Sequence, residues 1–378
     1  MTFLLFGSIA MILYIYLGYP ALVRALAARR PRPVAKADIT PPVTILIAAF
    51  NEESCIAQTV RNKLALDYPS DRLQVVVVSD GSTDRTEAEV RAIDDPRVRL
   101  LRQEPRAGKT AALNRAVSES GGEILVFSDA NSLYRPDALR CLVRSFADPQ
   151  VGYVTGRMVY QAPEATAVED GCSAYMRYEN SLREAETAIG SVIGVDGGID
   201  AVRRHLYREM RPDQLPDFVL PLSVAAQGYR VIYEPEAVLT EASLHDSGDE
   251  YRMRVRVSLR ALWALRDMRQ LLSLRRHPLF AWQLWSHKLL RYLAFFFLLT
   301  AWGSNAWLWS KGALFQGLFL LQSGAYAGAF LYLLAQGVQR LRLVRFFFYF
   351  VLVNLAAAHA FGKFLLGRKK VLWTPRKG

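Results

Sequence analysis

Cysteine is scarce in this 378-residue chain: Cys55, Cys141 and Cys172 are an odd number without the spacing of metal ligands. That argues against a disulfide framework and against a thiolate zinc site, and makes reduced thiols in a cytoplasmic domain the expectation. Acidic residues are also short, 35 against 47 Lys and Arg, giving a formal net charge of +12. No basic stretch is interleaved with aromatics as in a binding module for nucleic acid, so no nucleic acid is expected as partner. Anionic lipid and anionic phosphates suit the excess better. With 52% hydrophobic residues the composition excludes disorder.

Charged side chains are missing altogether from Thr2 to Val23. That run is about 22 residues long, enough at about 1.5 Å per residue to cross about 30 Å of hydrocarbon. A cleaved signal peptide is the alternative. No Lys or Arg precedes the run, however, while Arg24, Arg29, Arg30, Arg32 and Lys36 follow it, so an anchor with the following domain in the cytoplasm is expected. Three more spans are expected at residues 292–309, 312–338 and 346–366, parted by Ser310-Lys311 and by the basic turn from Arg340 to Arg345. The tail cations Arg368, Lys369, Lys370, Arg376 and Lys377 run against that topology, so either the last segment re-enters or lies at the interface, or the tail breaks the rule. From His277 to Leu290, Phe280, Trp282 and Trp285 mix with His287 and Lys288, as in a helix lying at the headgroups or as an extension of the next span. The expected organisation is an anchor at 1–28, a Pro-rich linker at 29–42, a cytoplasmic domain at 43–270, an interfacial helix at 271–291 and a membrane region at 292–378.

Between the apolar ends, strands are expected at 43–49, 73–78, 97–101 and 123–127, with helical segments at 52–66, 84–93, 109–119 and 136–147 between them. Such alternation predicts an α/β fold with a mostly parallel sheet, whose ligands sit beyond the carboxyl ends of its strands. The polar clusters fall there: Asn51-Glu52, Asp80 to Asp84, and Ser128-Asp129-Ala130-Asn131. Each residue taken singly also fits a cap or a turn, and Asp84 reads most simply as a helix cap. Gly108-Lys109-Thr110 is not a phosphate loop, because the first glycine of that pattern falls at Gln103 and no strand runs directly into it. Lys109 near a helix start still suits an anionic diphosphate.

Four segments in order, Ala48 to Glu53, Val78 to Asp84, Gly108 to Asn114 and Phe127 to Asn131, together resemble family 2 glycosyltransferases, in the membrane-bound branch that includes cellulose, hyaluronan and poly-N-acetylglucosamine synthases. The resemblance covers residues 43–265. It implies a nucleotide-diphospho-sugar transferase (GT-A type) domain and inverting transfer from a nucleotide sugar, a UDP-sugar being the expected donor, to a lipid-linked or glycan acceptor. It implies that Asn51, Glu52 and Asp80 lie near the nucleotide, with Asp80 at the base, that Lys109 lines the same pocket, and that Asp129 begins the Asp-x-Asp motif holding Mg²⁺ or Mn²⁺. Leu215-Pro216-Asp217 occupies the place of the family's Thr-Glu-Asp motif, which implies Asp217 as catalytic base.

The chain departs from the family pattern in three places. Asn131 stands where the second carboxylate of Asp-x-Asp is expected, so an amide oxygen is the second candidate metal ligand. Pro216 stands where the acid of Thr-Glu-Asp is expected. The Gln-x-x-Arg-Trp signature of processive members has no clean copy: Arg256 is kept without a tryptophan. Arg256 and Arg260 suit clamping of the diphosphate, and lipid-facing cations are the alternative. The leading expectation is an enzyme that adds sugar at the inner face of the membrane. A processive polysaccharide synthase and a non-catalytic scaffold of a polysaccharide export complex are the alternatives.

Overall fold

The computed structural model describes residues 1–161, 167–242, 247–335 and 338–369. Lys370, Arg376, Lys377 and the Cys172 side chain lie outside the described residues. The chain forms two compact units: one contains Met1–Leu26 and the described residues of 162–182 and 243–369, the other Ala27–Gln161 and Arg183–Ala242. The helical segments 167–182 and 247–267, which the sequence reading grouped with the cytoplasmic domain, thus belong to the unit that holds the apolar helices.

The second unit is built on one eight-stranded sheet. Its strands are β1 (Val43–Ala49), β2 (Leu73–Asp80), β3 (Val98–Gln103), β4 (Ile124–Asp129), β5 (Leu133–Tyr134), β6 (Val151–Gln161), β7 (Ile199–Arg203) and β8 (Arg230–Ala242), in the order β3-β2-β1-β4-β7-β6-β8-β5. β1 is buried along its whole length and β2 nearly so, as expected of central parallel strands covered on both faces, which is why they read as unbroken apolar runs. Strands β3, β2, β1 and β4 are parallel neighbours, and β6 pairs in parallel with β8. β7 runs antiparallel to both β4 and β6, and β5 antiparallel to β8. The sheet is mixed and mostly parallel, as expected, although β5 to β8 were not foreseen.

Register sets what meets at the active edge. Ala49 aligns with Ser79 and Ala48 with Asp129, so β1, β2 and β4 finish level and carry Asn51, Asp80 and Asp129 to one carboxyl edge. After β1 the chain builds outward through β2 and β3, then crosses to the other side of β1 to form β4. The reversal opens a crevice between β1 and β4, the usual ligand position in such sheets. Because β7 is antiparallel to β4, its first residue pairs with Ser128, which brings the preceding Gly197-Gly198 to the same edge.

In the other unit, Thr2–Arg29, Ala313–Leu334 and Arg342–Leu365 are each long and apolar enough to cross a membrane. The segment expected as a further span contains the helix Ala294–Trp307, 14 residues long, which covers only about 21 Å. Helix Ser247–Asp267 packs Val255 and Leu259 against Ala356 and Ala360 of the last long helix. The stretch Pro278–Tyr292 is helical with a π-helical turn at Trp285–Leu289. His287, expected at the headgroups, is instead fully buried, with its Nε2 3.0 Å from Glu179 Oε2, and Arg291 also donates to that carboxylate.

Candidate active site

Lys109 organises the crevice. It opens the helix Lys109–Ser118 directly after Gly108, whose φ of 99° turns the chain into the helix. Its Nζ donates to Asp129 Oδ1 at 2.6 Å and stands 3.8 Å from Asp217 Oδ1. Burial alone would lower the lysine pKa, but Asp129 and Asp217 outweigh it and raise it, so the ammonium is retained. One cation therefore joins the candidate metal-binding carboxylate to the candidate base.

Asp217 sits in the first turn of helix Pro216–Ala226, where Pro216 costs no helical hydrogen bond. Its carboxylate is backed by Gly197. A Cβ at position 197 would stand 2.5 Å from Asp217 Cγ, and the backbone φ of +88° is one that glycine adopts freely.

Asp80 is fully buried and engages the following loop with both oxygens. Oδ1 accepts from Gln103 Nε2 at 2.6 Å and from the Ala107 N–H at 2.8 Å, and Oδ2 accepts from the Gly108 N–H at 2.9 Å. Arg106 lies over the Phe50 ring, 3.4 Å from its centroid, with its Nε 3.7 Å from Asp80. Asp80 thus aims the segment that delivers Lys109. Asn51 takes φ 54°, a conformation Asn tolerates, and its Oδ1 accepts from the Thr83 N–H at 2.8 Å, tying β1 to the loop after β2. Glu52 is half-buried beside Cys55, and burial raises its pKa. Asp84 lies one residue before Arg85, the N-cap of helix Thr86–Arg91, and its Oδ1 accepts from the Thr86 N–H at 3.0 Å.

The loop after Asp129 is anchored from behind. Lys63 is fully buried, with its pKa lowered by burial, and donates to the Ser132 carbonyl at 2.5 Å and to Asn62 Oδ1 at 3.1 Å. Ser132 Oγ donates to the buried Glu241 carboxylate of β8. Arg256 and Arg260 lie on helix Ser247–Asp267 of the other unit, where Arg260 is buried and Arg256 half-buried.

Residues 44–210 match the model of Glycosyl transferase family 2. This segment is a family 2 glycosyltransferase domain. A mannosyltransferase from Pyrobaculum calidifontis, solved with GDP-Man and Mn²⁺, superposes with a TM-score of 0.71 at 26% identity, over 97% of this chain and 99% of that one. The poly-beta-1,6-N-acetyl-D-glucosamine synthase of Staphylococcus aureus is 25% identical over 74% of this chain and 70% of its own length. A beta-monoglucosyldiacylglycerol synthase from a Nostoc species is 33% identical over 43% of this chain and 36% of its own length. The chain is thus a glycosyltransferase with a GT-A type fold.

The glycosyltransferase site offers hard oxygen donors, the Asp129 carboxylate and the Asn131 amide oxygen, a set that suits Mg²⁺ or Mn²⁺. Among the described residues no three His, Cys, Asp or Glu side chains cluster for a metal, so this pair needs oxygens from donor or water to complete a shell. Sequence reasoning missed Arg106, Lys63, Glu241 and above all Asp200. The last lies at the second position of β7, is 1% exposed, and has both carboxylate oxygens without a hydrogen-bond partner among the described residues. An acid set between Ile199 and Ala201-Val202 was the available signal.

Proposed function

We propose that the enzyme transfers a sugar, with inversion, from a nucleotide-diphosphate sugar to a membrane-associated acceptor at the cytoplasmic face of the inner membrane, in cell-surface glycan synthesis. The observation that carries the reading is the Asp129–Lys109–Asp217 chain at the carboxyl edge of the sheet. It sets a candidate cation-binding carboxylate and a candidate base on either side of one half-buried lysine.

Asp217 takes the proton of the acceptor hydroxyl while that oxygen bonds to the anomeric carbon and the nucleoside diphosphate leaves from the opposite face. Lys109 meets the negative charge that grows on the leaving group, held in place by the loop that Asp80 fixes. Asn51 and Glu52 border the nucleotide pocket. Asp129 and Asn131 would hold a divalent cation, which when bound would supply charge neutralisation for the diphosphate.

The experiment is a screen of labelled nucleotide sugars, UDP-linked first and GDP-linked beside them, with purified protein, membrane lipid extract and Mg²⁺ or Mn²⁺. Transfer of label from one donor to an extractable acceptor supports the reading. No transfer and no donor hydrolysis with any donor returns the scaffold alternative.

A further inference from the structure

The two candidate metal ligands share one tight turn. Asp129 to Ser132 is closed by the Ser132 N–H, which donates to the Asp129 carbonyl at 3.4 Å. Its leading end is fixed by β4, where Asp129 aligns with Ala48, and by the Lys109 Nζ on Asp129 Oδ1. Its trailing end is fixed by side chains from elsewhere in the same unit. Lys63, on helix Ile56–Leu64, donates to the Ser132 carbonyl at 2.5 Å and to Asn62 Oδ1 at 3.1 Å, with its Nζ 3.5 Å from the centre of the Tyr134 ring. Ser132 Oγ donates to the Glu241 carboxylate of β8. Asn62 bonds the Tyr134 backbone twice, Nδ2 donating to its carbonyl at 2.9 Å and Oδ1 accepting from its N–H at 2.8 Å.

Lys63 and Ser132 are both fully buried. A lysine is rarely placed so, because desolvating its amine is costly unless its donors find acceptors. An apolar side chain would fill the same space without that cost, so what the amine adds is its hold on the turn. Asn131 makes that hold matter. A neutral amide attracts a divalent cation less than a carboxylate does, so its contribution depends on being kept where it converges with Asp129. We propose that Lys63 is a positioning residue of the cation site: together with the Ser132–Glu241 bond, it locks the trailing end of the turn so that Asp129 and Asn131 can offer their oxygens to one divalent cation. The inference rests on the reading that this pair holds the cation of the donor diphosphate. Lys63 acts through a backbone carbonyl, as the outer shell of a metal site acts through its ligands.

The test is Lys63→Met, which keeps most of the apolar stem and removes the donor. Binding of UDP, with GDP beside it, is measured on the purified full chain in detergent, by calorimetry with Mn²⁺ and by saturation-transfer NMR with chelator in place of metal. Affinity in Mn²⁺ is expected to fall at least about tenfold, the lower end of what outer-shell support contributes at a metal site, while binding in chelator stays at the wild-type level. A smaller fall overturns the proposal. So does an equal fall in chelator, because a general loss of the pocket lowers both alike whereas a misplaced ligand lowers only the part that the cation supplies.

Should Lys63→Met fail to fold, Ser132→Ala supplies the second reading. It removes the tie to Glu241 and leaves the carbonyl in place, and is expected to show the same selective loss of Mn²⁺-dependent binding. An unchanged affinity in Mn²⁺ there overturns the proposal. Neither reading needs turnover. A wild-type enzyme that binds nucleoside diphosphate with Mn²⁺ yet transfers no sugar defeats the proposed function and leaves the Lys63 inference decided separately, whereas a wild type whose nucleotide binding ignores Mn²⁺ overturns the Lys63 inference.

Discussion

Gly197 and Asp217 share a space that admits no third atom. Gly197→Ala places a methyl 2.5 Å from Asp217 Cγ on a backbone with φ +88°, and is expected to cost about 1–3 kcal/mol and to displace the base. Thermal unfolding together with donor turnover checks this: a stable, fully active variant contradicts the geometry. Asp129→Ala is expected to abolish cation-dependent binding of nucleoside diphosphate, seen by calorimetry with and without Mn²⁺. Asn131→Asp is expected to keep activity and change the preferred metal. Full activity in excess chelator contradicts both. Asp80, Lys109 and Asp129 were legible because short polar clusters after apolar runs mark strand ends, and Asp217 because the order of the motifs constrained it. Asp200 was not. Its burial comes from pairing with β4 on one side and β6 on the other, and no local pattern encodes that.

Elements were legible in proportion to their burial. β1, β2 and β4 lie in the sheet interior and read as continuous runs of Val, Ile, Leu and Ala, so their starts agree with the sequence reading to within a residue. β7 is five residues with a charge at positions 200 and 203, and β5 is a pair of residues; neither is long enough to show a period. In the helix-rich unit, the aromatic and basic stretch before Tyr292 looked like an interfacial face, yet its histidine turns inward. Glu179 is buried, and Arg291 and His287 overcome burial to hold its pKa well below the usual range. Glu179→Ala leaves the buried His287 and the half-buried Arg291 without their carboxylate and is expected to cost about 3–5 kcal/mol. Thermal unfolding in detergent checks it, and a change below about 1 kcal/mol contradicts the burial of the cluster.

At the scale of the molecule, three helices among the described residues are long and apolar enough to cross a membrane, and one sheet carries the candidate site. Three long spans are few to line a polar channel shielded from lipid, and Arg256 is followed by no tryptophan of the processive signature. Transfer of one or a few sugars to a lipid-linked acceptor is therefore expected, rather than polymer extrusion. Isolated protein fed labelled donor and membrane lipids should yield solvent-extractable glycolipid, and long polymer contradicts the expectation. The most direct test of the whole account is Asp217→Asn, assayed for sugar transfer and for nucleoside diphosphate binding in the same preparation. Transfer is expected to fall by about 10²–10⁴-fold with binding of the nucleotide unchanged, because only the acceptor's base is lost. Turnover at the wild-type rate would contradict the assignment of the base and, with it, the mechanism.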